Sequence, residues 1–223
     1  MENIGTPLEV GMLLYPGFTM LDLVGPLTVF AQHAKIYLLW KTLDPVFSDT
    51  GIAMVPTATL DRCPAKLDIL FVPGGFGTAD AMNDAQLMEF LKRQAPGARY
   101  VTSVCSGSLI LGAAGLLNGY KATSHWVARD LLASFGATPT KGRVVMDRNR
   151  ATGGGVTAGI DFGLTLLAEL RGVEEAQMIQ LAMEYDPAPP FDAGSPEKAA
   201  PAIVERVKTM IDLATPAAQV AGG

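Results

Sequence analysis

The chain has 223 residues, 49% hydrophobic and 17% charged, a globular composition with enough length to bury a sizeable core in one α/β domain. Its formal net charge of −5 offers no electrostatic footprint for nucleic acid or an anionic membrane, which leaves small molecules and other protein subunits as the expected partners. The two cysteines, Cys63 and Cys105, form no CxxC or Cys/His cluster, and Met1–Ile4 has neither a basic nor an apolar leader segment. Reduced thiols, a cytoplasmic location and no metal are therefore expected.

Along the chain a short apolar run, a turn and a helical pattern recur without internal repeat or charge block. Leu8–Tyr15 reads as a buried strand and Thr19–Ala31 as the helix after it, ending near His33, which is expected at the solvated surface. Ile36–Lys41 is the next strand, and Val46–Pro56, with its turn at Ser48–Gly51, a small antiparallel excursion. Leu67–Val72 is a buried strand stopped by Pro73-Gly74-Gly75, and Asp84 caps a helix that runs to Ala95 before Pro96-Gly97. Tyr100–Val104 is a strand and Gly107–Leu116 a helix. The uncharged stretch from Tyr100 to Tyr120 has the length of a bilayer span, but its serines, threonines and glycines favour a strand followed by a buried helix.

Lys121–Thr123 is a short strand, and Trp126–Phe135 is helical up to Gly136. Val144–Asp147 and Arg150–Thr152 are short strands, and Thr157–Leu170 and Val173–Glu184 are helices. A proline-rich segment, 186–196, leads into a last helix, Glu197–Leu213, and a small-residue tail expected to fray. The stretch 186–223 is too short for a second domain, so 1–223 is expected to be one. Alternating strands and helices imply a mostly parallel sheet with helices on both faces, its binding site at the carboxyl ends of the strands. Pro73-Gly74-Gly75, Cys105 and Gly153-Gly154-Gly155 all fall at such ends.

Ser103-Val104-Cys105-Ser106-Gly107 has the logic of a nucleophile elbow, in which small neighbours permit a sharp strand-to-helix turn that projects the nucleophile. A cysteine at a helix N-terminus is expected to have its thiolate favoured and its pKa lowered, and the free amides from Ser106 onward can stabilise negative charge on a substrate. A buried core cysteine is the bland alternative. A proton partner is less obvious. His125 follows a short strand and fits a structural role beside Trp126 better than a catalytic one. Asp22, in an almost wholly apolar neighbourhood from Phe18 to Pro26, fits two roles equally: a helix N-cap, or an acid whose pKa burial has raised. Asp161 suits a structural hydrogen bond near the triple glycine, and Cys63 an incidental thiol. Neither glycine loop matches a nucleotide-binding signature.

At these residues the sequence resembles the isocyanide hydratase family, in the ThiJ/PfpI branch of the class I glutamine amidotransferase-like superfamily. The resemblance rests on Ala98–Leu109, Leu111–Leu117, Leu21–Pro26, Val72–Gly75, Ala122–Trp126, Thr152–Phe162 and Glu184–Phe191. The elbow marks the superfamily, and the aspartate and Pro-Ala-Pro-Pro-Phe segments are more specific. The resemblance implies a three-layer, flavodoxin-like α/β sandwich and a homodimer without metal or organic cofactor. It also implies hydration of an isocyanide to an N-substituted formamide. Cys105 is then the nucleophile that forms a thioimidate, Asp22 the acid and base, and the backbone amides of Gly75 and Ser106 the groups flanking sulfur. Gly74, Phe76, Gly154, Val156 and His125 are expected to line the pocket or govern the mobility of the helix beyond it. The family more often carries Thr at the position of Ser106 and Ile at that of Val156, so both sites are roomier here.

Other functions of related domains were weighed on the same residues. AraC-type regulators append a basic helix-turn-helix module of about a hundred residues, for which this chain has neither the length nor the charge. The peptidase branch has His where Ser106 stands. Glyoxalase, deglycase or redox-sensing activity is the remaining alternative.

Overall fold

The computed structural model describes residues 6–214, so the tail expected to fray lies outside the described residues. Strand β1 (Leu8–Leu13) leads into helix α1 (Met20–Phe30) and back to β2 (Ala34–Trp40). The antiparallel excursion is a two-residue ladder of β3 (Val46–Phe47) and β4 (Ala53–Met54), followed by β5 (Ala58–Thr59). Then come β6 (Leu67–Val72), the short α2 (Thr78–Met82), α3 (Ala85–Gln94), β7 (Ala98–Val104) and α4 (Gly107–Ala113). The small parallel pair β8 (Lys121–Ala122) and β9 (Thr138–Pro139) precedes β10 (Val144–Asp147) and β11 (Arg150–Gly153). Helices α5 (Ala158–Arg171), α6 (Val173–Ala182) and α7 (Pro201–Ala214) complete the described chain.

The main sheet runs β10-β11-β7-β6-β1-β2-β5, parallel except for β10 against β11. From β1 the chain crosses to β2 on one side, and from β6 to β7 on the other. Right-handed crossovers in opposite directions put α1 and α3 on opposite faces, so the sheet is covered on both sides. The sheet covered on both faces is what the alternation of strands and helices predicts, and its three-layer, flavodoxin-like form is what the resemblance implies. Strands buried on both faces need near-continuous apolar runs, and β1 and β6 have them. The core is continuous across the layers. Phe162 of α5 meets Phe30 of α1 edge-on with ring centroids 6.5 Å apart, and lies 5.7 Å from Phe71 of β6.

Several boundaries move for visible reasons. Helix α4 stops at Ala113, three residues short of expectation, because Gly115 adopts a left-handed φ of 75°. Residues Arg129–Phe135 form a 3₁₀ helix, shorter than the helix expected from Trp126, and Gly136 ends it at φ 73° as expected. The last helix begins at Pro201 and not at Glu197, since proline fits a first helical position, while the Ser195 carbonyl ties Lys198 and Ala199 into a separate turn. His33 is not solvated: it is 4% exposed, and Glu175 of α6 lies 3.5 Å from its Nε2. No described helix is long and apolar enough to cross a membrane.

Because Phe162 joins α5, α1 and β6 at zero exposure, Phe162→Ala is expected to cost about 3–5 kcal/mol in urea unfolding. A loss below about 1 kcal/mol would show that α5, α1 and β6 do not share this contact.

Candidate active site

Four adjacent strands, in the spatial order β11-β7-β6-β1, deliver one group each at their carboxyl ends. Cys105 follows β7, Asp22 lies in the first turn of α1 beyond β1, the Gly74 amide follows β6, and the Val156 amide follows β11. Open parallel sheets bind ligands at this end.

The elbow is a strained turn held from both sides. Cys105 has φ 58°, in the left-handed region that residues with a Cβ rarely adopt and that costs on the order of 1–2 kcal/mol. Its N–H donates to the carbonyls of Gly153 (3.1 Å) and Gly154 (2.8 Å). Its own carbonyl accepts from the hydroxyls of Ser108 (3.1 Å) and Ser124 (2.8 Å). Two glycines let the backbones close around it. A Cβ at Gly107 would stand 2.3 Å from the Val72 carbonyl, and one at Gly74 would stand 2.6 Å from the Ser106 nitrogen and 2.8 Å from the Cys105 Cβ. The small residues flanking Cys105 in the sequence thus have a direct steric cause.

Asp22 is completely buried. The N-cap position of α1 belongs to Thr19, so the capping role for Asp22 is not taken up. One carboxylate oxygen, Oδ2, accepts from the Gly74 N–H at 2.9 Å. The other, Oδ1, is buried with no hydrogen-bond partner among the described residues, and the side chains that act on this carboxyl are the Cys105 thiol and, more weakly, Asp49. Burial pushes the Asp22 pKa up to about 7, against the downward pull of the Gly74 amide and the thiol.

The thiol itself departs from expectation. Burial and the neighbouring Asp22 carboxylate hold the Cys105 pKa well above its ordinary value, and the pull of the Ser106 and Val156 amides on the thiolate only partly offsets them. The lowering expected from a helix N-terminus is outweighed because α4 is only seven residues long and the sulfur is desolvated.

The amides also differ from expectation. The Ser106 amide acts on the thiolate, whereas the Gly75 N–H donates to the Ser106 hydroxyl at 3.0 Å. The second amide on sulfur is that of Val156, which the sequence reading treats as a side-chain neighbour. Nothing in a local sequence pattern marks it, because Val156 reaches the site only through the pairing of β11 with β7.

His125 does not pair with Cys105. Its ring lies 5.7 Å from that of Trp126 and packs against Gly155, and burial pushes its pKa down. Phe76 is 44% exposed at the rim. Asp161 is a structural clamp, accepting from Arg143 Nε (2.7 Å) and the Tyr185 hydroxyl (3.2 Å), while the Arg143 carbonyl accepts from Gly154 N–H (2.8 Å). A cavity of about 370 Å³ adjoins the Gly154–Val156 loop, between His125, Arg129 and Arg143, and takes in neither Cys105 nor Asp22. Cys63 is half-buried with its pKa pushed up to about 11, an inert thiol.

Residues 9–169 match the DJ-1/PfpI family. The isonitrile hydratase of Pseudomonas putida is 54% identical over 203 residues, spanning 90% of this chain and 89% of that protein. A THiJ/PfpI family protein from Pseudomonas syringae has a similar structure, with a TM-score of 0.93 at 53% identity over 97% of this chain and 90% of its own. The HTH-type transcriptional regulator GbdR of Pseudomonas aeruginosa is 34% identical across 81% of this chain but only 51% of the regulator.

The buried carboxyl makes a testable thermodynamic signature. Its folded pKa of about 7 stands above the ordinary 3.8, so between those values the folded state holds a proton that the unfolded state has lost. Stability contributed by Asp22 is therefore present below about pH 4 and falls as the pH rises to about 7. In Asp22→Asn this slope of roughly 1.4 kcal/mol per unit should vanish. Urea midpoints from pH 4 to 8 should show the variant gaining on the wild type up to about pH 7 and then running level. A gap that ignores pH would contradict a neutral buried carboxyl.

Proposed function

The chain belongs to the DJ-1/PfpI family, and we propose that it is an isocyanide hydratase, an enzyme that converts R–N≡C and water into an N-substituted formamide without a cofactor. The observation that carries the chemistry is the pairing of the Cys105 thiol with a buried carboxyl whose other oxygen is fixed by the Gly74 amide. The likeness to an isonitrile hydratase over most of both chains selects the substrate class.

The pair suits a terminal carbon that must accept both a nucleophile and a proton. With Asp22 ionising near pH 7 and Cys105 far above it, the pair holds two protons below about pH 7 and one above it, and that last proton sits on sulfur. Asp22 takes the thiol proton as sulfur attacks the isocyanide carbon, then delivers it to that same carbon. The S–H bond breaks, C–S and C–H bonds form, and the product is the thioimidate R–N=CH–S–Cys105. Water next adds to the thioimidate carbon while Asp22 removes one of its protons and the nitrogen gains one. The C–S bond then breaks, the oxygen becomes the formamide carbonyl, and the remaining proton returns to sulfur. The Ser106 and Val156 amides hold the sulfur as negative charge comes and goes.

The two positions at which this chain departs from the family pattern act through their backbone amides, so neither departure removes a group from this scheme. As parts of the same proposal, residues 1–223 are one domain, the enzyme works as a cytoplasmic homodimer, and it engages neither nucleic acid nor membrane. The family resemblance, the two free thiols and the acidic balance support those parts.

Purified protein should convert an aryl isocyanide to its formamide, and Cys105→Ala or Asp22→Asn should lower kcat/KM by at least about 10³-fold. For the wild type, kcat/KM should be level above about pH 7 and drop about tenfold per unit below it, since a protonated Asp22 cannot accept the thiol proton. Activity on methylglyoxal with none on a panel of isocyanides would overturn the assignment.

A further inference from the structure

The β6–α2 loop and the elbow are joined by a closed circuit of hydrogen bonds whose linchpin, Thr78, has no part in the chemistry above. Thr78 is the first residue of α2 and is 6% exposed. Its hydroxyl lies 2.7 Å from the Gly75 carbonyl and 2.7 Å from the Ser106 hydroxyl, and the Gly75 N–H lies 3.0 Å from that same Ser106 oxygen. Distance and proton counting together fix the direction, since the Gly75 carbonyl lies 2.7 Å from the Thr78 hydroxyl but 3.5 Å from that of Ser106. An amide N–H only donates and a carbonyl only accepts, while each hydroxyl has a single hydrogen. Ser106 therefore accepts from Gly75, Thr78 donates to the Gly75 carbonyl, and the remaining Ser106 hydrogen points to Thr78. The circuit runs Gly75 N–H to Ser106, Ser106 to Thr78, and Thr78 back to Gly75 C=O. Tyr15, itself 1% exposed, closes the side of the circuit: its hydroxyl donates to the Pro73 carbonyl at 2.9 Å and sits 3.3 Å from Thr78.

The circuit joins Ser106 to Gly75, next in the chain to Gly74, and the amides of Ser106 and Gly74 are the ones that act on the Cys105–Asp22 pair. The Gly74 amide, one residue before Gly75, holds Asp22, and the Ser106 amide holds the Cys105 sulfur. We propose that Thr78 is a positioning residue: by closing the Gly75–Ser106–Thr78 circuit it locks the β6 loop to the elbow and keeps both amides aimed at the reacting pair. A circuit whose bonds all run head to tail is mutually polarising, so losing one hydroxyl loosens the other two links. The proposal rests on the isocyanide hydratase reading for its catalytic consequence, but not for its effect on Cys105 itself.

Thr78→Val removes the hydroxyl and keeps the shape. Both amides lose alignment with groups that become anionic, so both pKa values rise. The acid limb of kcat/KM should move up by about 0.5–1 pH unit, and kcat/KM at pH 7 should drop about tenfold or more, with KM changing less than kcat. Thr78→Ser should restore the wild-type profile. A second measurement needs no isocyanide: the pH midpoint for iodoacetamide alkylation of the Cys105 peptide, read by mass, should shift upward in Thr78→Val and in Ser106→Ala. The double variant should shift no further than either single one. If Thr78→Val fails to fold, Thr78→Ala, which also removes the hydroxyl, carries the same comparison against Thr78→Ser. An unchanged alkylation midpoint in the folded variants would overturn the proposal. A shifted midpoint in a protein inert to isocyanides would instead sink the substrate reading and leave Thr78 in its role.

Discussion

Cys105 and Asp22 are buried, and among the described residues no cationic side chain acts on either. Two acidic groups in a dry site cannot both ionise near neutral pH, because each charge is stripped of water and repels the other. Everything around them follows from that constraint. An arginine or lysine would fix both as anions and remove the proton that the reaction has to move. The fold uses backbone amides instead: Gly74 on the carboxylate, Ser106 and Val156 on sulfur. Neutral dipoles can hold an anion when one forms without forcing it to be there beforehand.

Backbone donors are cheap in sequence but demanding in geometry, and that explains where the strain and the glycines lie. Three amides from three different loops reach one point only if the strands beneath them are neighbours, and β11, β7, β6 and β1 are. The loops must also approach within van der Waals contact. Gly74 and Gly107 remove the Cβ atoms that would collide, and Cys105 accepts a left-handed φ to aim its sulfur. Hydrogen bonds to both its N–H and its C=O over-determine that conformation, so the strain is held by the scaffold and not relieved by a shift of the nucleophile.

What was legible in the sequence was what local chemistry determines. Leu67–Val72 was readable to the residue, since an apolar run ended by Pro-Gly-Gly has one reading, and Asp84 caps α3 by accepting from the Leu87 amide at 3.1 Å. The elbow was legible because its small residues answer to a local steric need. Legibility failed where distant segments decide. His33 lies at the end of an exposed-looking helix but α6 folds over it. The thiol pKa was misjudged because a helix N-terminus can be read from sequence, whereas burial by three other loops cannot. The Val156 amide was invisible for the same reason. Asp22 stood between two roles on its local neighbourhood, and the geometry separates them by giving the cap to Thr19.

The same reasoning bears on the two substitutions that distinguish this chain from the family pattern. Ser106 and Val156 both touch the nucleophile through main-chain N–H groups, which any residue but proline supplies. What distinguishes one residue from another at these positions is therefore whatever the side chain adds. For Ser106 that addition is one hydroxyl, wholly committed between Gly75 and Thr78. A methyl beside it would contribute packing and rotamer restraint but no further hydrogen bond. Serine keeps the circuit and gives up the restraint, so the hydroxyl's orientation depends on Thr78 more than it would with threonine. The residue that looks most altered at the nucleophile has thus moved part of its positioning onto a buried neighbour, some thirty residues earlier in the chain.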